Sequence, residues 1–437
     1  MEHSQDKNSL TKASLITQLA SHFKMPLFRN GYLLTISSVA TSGLGIVYWL
    51  FAARLYSPEL VGKNSAAIAA LLFISGVSGL YLDGALIRFI PRSGKATGRL
   101  IGYAYLISGL TAVLVGTLFL LGIQIWAPAL AFLKTDIWLF LAFVFGTMTI
   151  CIFSEQDGAL TGLRQAGWVP VENSIYAIAK IALLVIFSKI IPQYGIFASW
   201  TLPAGVMVAL VSLLIFRRLN SRRSQETNVI TEPIHPLQIL RYTAGNYFSF
   251  LFFTAYITLP PIMVFQVAGA KASAYFYLPW IIANSLRLFA SNMSNSLIVE
   301  GVINQEKTLE YFKKSLLNTI QLLIPLVIGL IVVGPWILQV FGKDYSVEGI
   351  LLLRLLLLGI IPAAYVSLTI GFMRIENRVG QTILIQAIIC FSVLSLSVLL
   401  LPSYGIAGVG WAWLISHTLI AIFILVLFQR RSAMHKL

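Results

Sequence analysis

The sequence predicts an all-α integral membrane protein of about twelve transmembrane helices in two six-helix lobes. Composition comes first: of 437 residues, 58% are apolar and 11% charged, and the mean hydropathy is +0.84. A soluble domain carries roughly 25% charged residues, so this chain lacks the polar surface to coat a water-soluble globule, and neither a soluble enzyme nor a disordered protein fits. Segmentation comes second, because the apolar residues fall into stretches of about 20, enough to cross a hydrocarbon core about 30 Å thick. Third, solid blocks such as 351–358 and 421–428 show none of the alternation a membrane barrel needs.

The expected spans are 31–53, 65–87, 100–126, 136–158, 169–188, 193–216, 242–266, 272–298, 315–340, 346–372, 379–400 and 404–428. The fifth and sixth are divided only by Pro192, and the last two only by Pro402, Ser403, Tyr404 and Gly405. The first run is too long for a cleavable signal and is expected to stay as a signal anchor. Residues 14–28 read as a short amphipathic helix on the inner leaflet. Trp126, Trp138, Trp168 and Trp336 fall near span ends, where interfacial anchors belong. Pro260, Pro261, Pro325, Pro335 and Pro362 interrupt spans and invite kinks.

Charge sets the orientation. With the N-terminus inside, the inside segments hold 22 Lys and Arg and the outside loops six (Arg54, Lys63, Lys134, Lys189, Lys271 and Lys343). The positive-inside rule therefore places both termini in the cytoplasm. The same rule explains the net charge of +15 without nucleic acid, and the basic run at 217–223 suits an anionic inner leaflet.

The longest internal polar stretch divides the chain evenly. The expected organisation is a cytoplasmic segment (1–30), an N-lobe (31–216), a basic linker (217–241), a C-lobe (242–428) and a tail (429–437). Residues 54–62 align with 266–274, and 162–169 with 372–379, at offsets of 212 and 210. Each half has an even number of spans, so both enter from the same side. A duplication of this kind puts a pseudo-twofold axis along the membrane normal and a cleft between the lobes.

The residues also carry a resemblance. Phe51–Gly62 is similar to the "ARLLGPEEFG" turn after the first helix of polysaccharide flippases; Gly79–Arg92 resembles their "DLGLSQALVRFLPR", and Tyr345–Gly359 their "Y..A..VLRILALG". The chain thus resembles, along its length, the Wzx-type flippases of the multidrug/oligosaccharidyl-lipid/polysaccharide (MOP) exporter superfamily. The resemblance implies alternating access and translocation of a polyprenyl-diphosphate-linked oligosaccharide, as in lipopolysaccharide O-antigen assembly, across a prokaryotic cytoplasmic membrane. Other polysaccharide-assembly membrane proteins are then candidate partners.

Ionisable groups inside spans cost about 2.5–3.5 kcal/mol each and are functional hypotheses. Arg287 lies mid-span in the eighth helix, with Asn284, Ser291 and Asn295 on the same face. Lys180 lies mid-span in the fifth, preceded at four-residue steps by Tyr176 and Glu172. One reading is a cationic cavity for a diphosphate head group, which a guanidinium grips bidentately; the other is that these cations pin helices together. Asp83 and Arg88 close the second helix and suggest either a latch at the inner gate or a plain helix-end contact. Glu155 and Asp157 suggest either a site for a coupling proton or sodium ion or an interfacial pair.

No G-x-x-x-x-G-K-[ST] motif occurs, so an ATPase is not expected and transport would run on a gradient. Cys151, Cys390 and His417 have no metal-ligand spacing, so neither metal nor cofactor is expected. Two alternatives stand beside the flippase: a drug/cation antiporter of the same superfamily, which favours cavity carboxylates, and a glycan polymerase, which favours a large outside loop. Here the longest outside loop is roughly ten residues.

Overall fold

A computed structural model describes residues 26–223 and 235–434. Nearly all of the 14–28 segment, the middle of the basic linker (224–234) and residues 435–437 lie outside them. The described residues are almost wholly helical, and ten helices among them are long and apolar enough to cross a membrane. One holds two crossing arms, and α1 adds another crossing, giving twelve.

The N-lobe is built from α1 (Pro26–Leu55), α2 (Pro58–Ser78), α3 (Leu82–Ser93), α4 (Thr97–Leu121), α5 (Ile137–Gly162), α6 (Trp168–Ile190) and α7 (Gly195–Arg223). The C-lobe follows with α8 (Pro236–Ile303), α9 (Thr308–Phe341), α10 (Lys343–Ile375), α11 (Val379–Tyr404) and α12 (Ala407–Met434). Local chemistry sets the starts. Ser57 accepts a hydrogen bond from the Leu60 amide with Pro58 in the first turn, Asp136 caps the Trp138 amide, and His235 with Pro236 opens α8.

The fifth and sixth spans part at Pro192, but the breaks inside the second expected span and inside α8 fall where the backbone takes unusual angles rather than at prolines. Pro260, Pro261 and Pro279 lie inside α8, whose one non-helical residue is Gly269 at φ 85°; a left-handed or inverted angle is open to glycine at no steric cost. Its arms, 236–268 and 270–303, are the seventh and eighth spans. The second expected span is likewise split: α2 stops at Ser78, and Leu80 and Tyr81 take positive φ (51° and 61°) before α3 begins. Each such non-glycine residue costs about 1–2 kcal/mol.

Duplication is visible in the packing. In the N-lobe α1 packs on α6, α4 on α5, and α5 and α6 on α7; six spans later, α8 packs on α11, α9 on α10, and α10 and α11 on α12. The repeated pairing is what a pseudo-twofold axis along the membrane normal requires. Small residues allow the approach: a Cβ on Gly158 would sit 2.6 Å from the Asp83 carbonyl oxygen of α3. The outer faces of α4 (Leu110, Leu114, Leu118) and α9 (Leu326, Ile328) stay exposed, as acyl chains demand, and Trp126, Trp138, Trp168 and Trp336 are exposed at the rims.

The lobes meet at both ends. At the end away from the termini, Trp49 packs on Tyr277 with ring centroids 4.5 Å apart, Phe132 on Phe265 at 6.4 Å, and the Arg54 Nε donates to the Val340 carbonyl at 3.0 Å. At the termini end the contact runs from α2 and α3 to the first arm of α8. There the Tyr247 hydroxyl donates to the Val77 carbonyl at 2.8 Å, and Tyr81 packs on Tyr242 and Phe250.

Candidate functional site

Between these contacts lies a cavity of about 270 Å³, beginning on the termini side of the Trp49–Tyr277 pair. It is lined by Ser42, Gly45 and Trp49 of α1, Lys180 of α6, Trp200 of α7, and Asn284, Ser285, Arg287 and Leu288 of α8. The mid-span lysine of one lobe and the mid-span arginine of the other thus face one space.

Each cation is held without a carboxylate. Lys180 is buried, its Nζ 3.9 Å from the Trp200 ring centroid and 4.9 Å from those of Tyr48 and Tyr176. Such a desolvated cage is worth about 2 kcal/mol or more. Its walls are fixed in turn: the Tyr48 hydroxyl donates to the Ile196 carbonyl at 3.0 Å, and that of Tyr176 to the Trp200 carbonyl at 3.0 Å. The Arg287 Nε donates to the Asn284 Oδ1 at 3.1 Å, and its guanidinium lies 4.8 Å from the Phe253 ring. Among the described residues the ion pairs are Lys314–Glu310 and Arg378–Glu376, so neither cavity cation is neutralised by one. A guanidinium with free donors in a low-dielectric space is an anion receptor.

The α8 stripe turns away from this cavity as the helix advances. Ser291 and Asn295 line a second chamber of about 190 Å³ inside the C-lobe, which Arg287 shares. Arg374, Ser249, Gln386, His417 and Tyr81 line it too. The His417 Nδ1 is 2.9 Å from the Trp413 carbonyl and its ring packs on Trp413 and Tyr256, in a packing role.

Glu172 lies in neither space. It borders a third, almost wholly apolar pocket of about 170 Å³ in the N-lobe, and both its buried carboxylate oxygens lack a hydrogen-bond partner. Glu155 is 1% exposed with one oxygen also unpartnered, while Asp157 receives a 3.5 Å bond from the Asn173 amide. An unsatisfied buried polar group costs about 1–3 kcal/mol. Glu172→Leu is therefore expected to raise the thermal midpoint of the purified protein, and a fall would reveal a polar partner.

Asp83 and Arg88 do not pair. Five helical residues turn their side chains about 140° apart: the Asp83 backbone packs on Gly158, on the helix that carries Glu155 and Asp157, whereas the exposed Arg88 guanidinium lies 4.5 Å from the Tyr242 ring of the other lobe. The inter-lobe contact here is thus cation–π rather than ionic.

Sequence reasoning missed Tyr48 and Trp200, which reach Lys180 from other helices, and Arg374, which reads as a loop cation. It also missed Tyr81, although a tyrosine between two helical stretches beside Gly79 and Gly84 is a visible irregularity.

Residues 27–300 match the model of the family described as polysaccharide biosynthesis protein. The chain belongs to that family. An uncharacterized membrane protein of Methanocaldococcus jannaschii is 23% identical over 428 residues, covering 92% of this chain and 98% of that one. Among solved structures, a multidrug resistance MATE family transporter of the MOP superfamily in an inward-facing conformation superposes with a TM-score of 0.68 at 15% identity, over 92% of this chain and 99% of that one. The lipid II flippase MurJ in an inward closed conformation gives 0.67 at 15% identity, over 91% and 87%. A MOP superfamily transporter from Pyrococcus furiosus, described by the reverse polarity of its binding pocket, gives 0.66 at 14%, over 95% and 98%. The fold is thus that of the MOP superfamily transporters, as the sequence leads one to expect.

Proposed function

We propose that this chain is a flippase that carries a lipid-(di)phosphate-linked oligosaccharide across the cytoplasmic membrane for surface polysaccharide assembly. The observation that carries the reading is Lys180 and Arg287, contributed by opposite lobes to one cavity with no carboxylate among its lining residues. A cavity of that polarity favours an anionic head group over the cationic drugs of an antiporter. At about 270 Å³ it is near the small end of ligand sites, which run about 300–1,000 Å³. It suits a diphosphate and its first sugar, and the remaining sugars need the lobes to part. The family description and the likeness to the lipid II flippase support a lipid-linked glycan.

With the termini in the cytoplasm, as the charge distribution favours, the far-end contacts close the outer side and leave the cavity on the inner side of the seal. Rocking the two lobes against each other about the central cavity would expose the head group outside while the lipid tail stays in the bilayer. No step needs a covalent bond or ATP. The buried carboxylates Glu155 and Glu172, with one and two unpartnered oxygens, supply sites for a coupling proton. Glu155→Gln is expected to leave head-group affinity intact while abolishing the response of transport to an imposed pH gradient; a retained response would exclude this residue as the coupling site.

The direct test is transfer of a fluorescent polyprenyl-diphosphate glycan in proteoliposomes containing the purified chain. Protein-dependent transfer supports the reading. Its absence alongside protein-dependent efflux of a cationic dye would favour the antiporter.

A further inference from the structure

We propose that the C-lobe chamber is a second anion site, which takes a phosphate or diphosphate group at Arg374 at its mouth and passes it inward to Arg287 at its inner end. The chamber has a mixed polar and apolar lining with no carboxylate in it. Arg374 is exposed near the termini end of α10, level with Gly301, against which Ile375 packs. Arg287 stands about 20 Å higher on the second arm of α8, by the rise per residue. Ser249 projects a buried hydroxyl with no hydrogen-bond partner, a donor available to an anion. The guanidinium at each end has spare donors for charge-assisted bonds with phosphate oxygens, one station at the mouth and one at the inner end.

The second chamber differs from the inter-lobe cavity in all but Arg287, which lines both. An anion bound at Arg287 can therefore pass from one space to the other by exchanging its remaining contacts, so the chamber is an entry vestibule.

Its lid comes from the opposite lobe. Tyr81 lines the chamber although it belongs to the α2–α3 corner, and its ring packs on Tyr242 and Phe250 of α8 at 6.1 and 5.8 Å. The positive φ of Leu80 and Tyr81 is a stored backbone cost of the kind found at ligand clamps. Because the lid rides on the N-lobe, any relative movement of the lobes lifts it.

The vestibule rests on the transport reading only for the source of its phosphate; binding and transfer are measured separately, so each can fail without the other. The protein is placed in nanodiscs of zwitterionic lipid, and binding of inorganic pyrophosphate and of farnesyl diphosphate is measured. Arg374→Gln is expected to weaken both about tenfold, the size of one lost charge-assisted bond, and Arg374→Lys to weaken them less. Arg378→Gln, which removes the same charge nearby from the pair with Glu376, is expected to change neither more than twofold. Equal losses in Arg374→Gln and Arg378→Gln, no loss in Arg374→Gln, or no binding by the unaltered protein would overturn the proposal. Binding of farnesyl diphosphate at least tenfold tighter than pyrophosphate assigns the site to a lipid-borne head group, and equal binding assigns it to a free phosphate. Tyr81→Ala is expected to speed release at least threefold; an unchanged rate removes the lid.

Discussion

Arg287→Ala should reduce transfer of a diphosphate-linked glycan by at least tenfold while raising the thermal midpoint of the protein. The two halves of this expectation have separate causes. Inside a span an arginine costs about 2.5–3.5 kcal/mol, and here the cost is offset by one 3.1 Å bond to Asn284 and the face of Phe253, with no carboxylate in ion-pair range. Removing the side chain therefore relieves the lobe. The same removal takes from both chambers the donor they share and leaves Lys180 alone in the inter-lobe cavity. A structural arginine gives the opposite pattern, losing stability with transport per folded molecule unchanged, and that result would withdraw the residue from the site. Arg287→Lys separates charge from shape: it keeps the charge but loses the planar fork, so transfer should recover only in part.

Why Arg287 and Lys180 could be found before any coordinates, and their companions could not, follows from burial. A cation in an apolar helix is conspicuous because its cost must be met by a partner or by water, and spacing then supplies neighbours on the same helix: Asn284 and Ser291 for Arg287, Tyr176 for Lys180. Contacts between helices leave no such trace. Tyr48 and Trp200 are ordinary aromatic residues in α1 and α7 until packing brings them to within 5 Å of one ammonium. Glu172 shows the limit of spacing alone. It is on the same face as Lys180, yet two turns along the helix lead into a different pocket. The spans were legible for a simpler reason, since every crossing must satisfy its own backbone hydrogen bonds in lipid. Not every break was: the seventh and eighth spans part at Gly269, whereas Pro260 and Pro261 sit within a helix, where the Ile257 carbonyl left free by Pro261 accepts from the Trp280 indole at 3.2 Å.

The seal at the far end yields the other large effect. Gly62 of α2 abuts the backbone carbonyl of Ala270, the first residue of the second arm of α8, and a Cβ built on Gly62 would overlap that oxygen outright. Where a flexible side chain blocks a new methyl it can rotate away; a carbonyl oxygen moves only if its helix moves. Overpacking of this kind costs about 1–3 kcal/mol, and here the obstacle belongs to the opposite lobe. Gly62→Ala should therefore act as a wedge, driving the lobes apart at the end away from the termini. The measurement is labelling of Ser285→Cys, a cavity position, by a membrane-impermeant thiol reagent in a Cys151→Ala, Cys390→Ala background. Gly62→Ala is expected to raise labelling from the far side at least tenfold and to lower the glycan transfer rate, because closing the outer gate now carries the cost of the clash. Gly329→Ala, placed where nothing lies within 4 Å of the new carbon, should change neither. If Gly62→Ala labels like the parent at equal protein level, the contact between α2 and α8 is not what holds the far end shut. In that case the aromatic pairs Trp49–Tyr277 and Phe132–Phe265 must bear the closure instead.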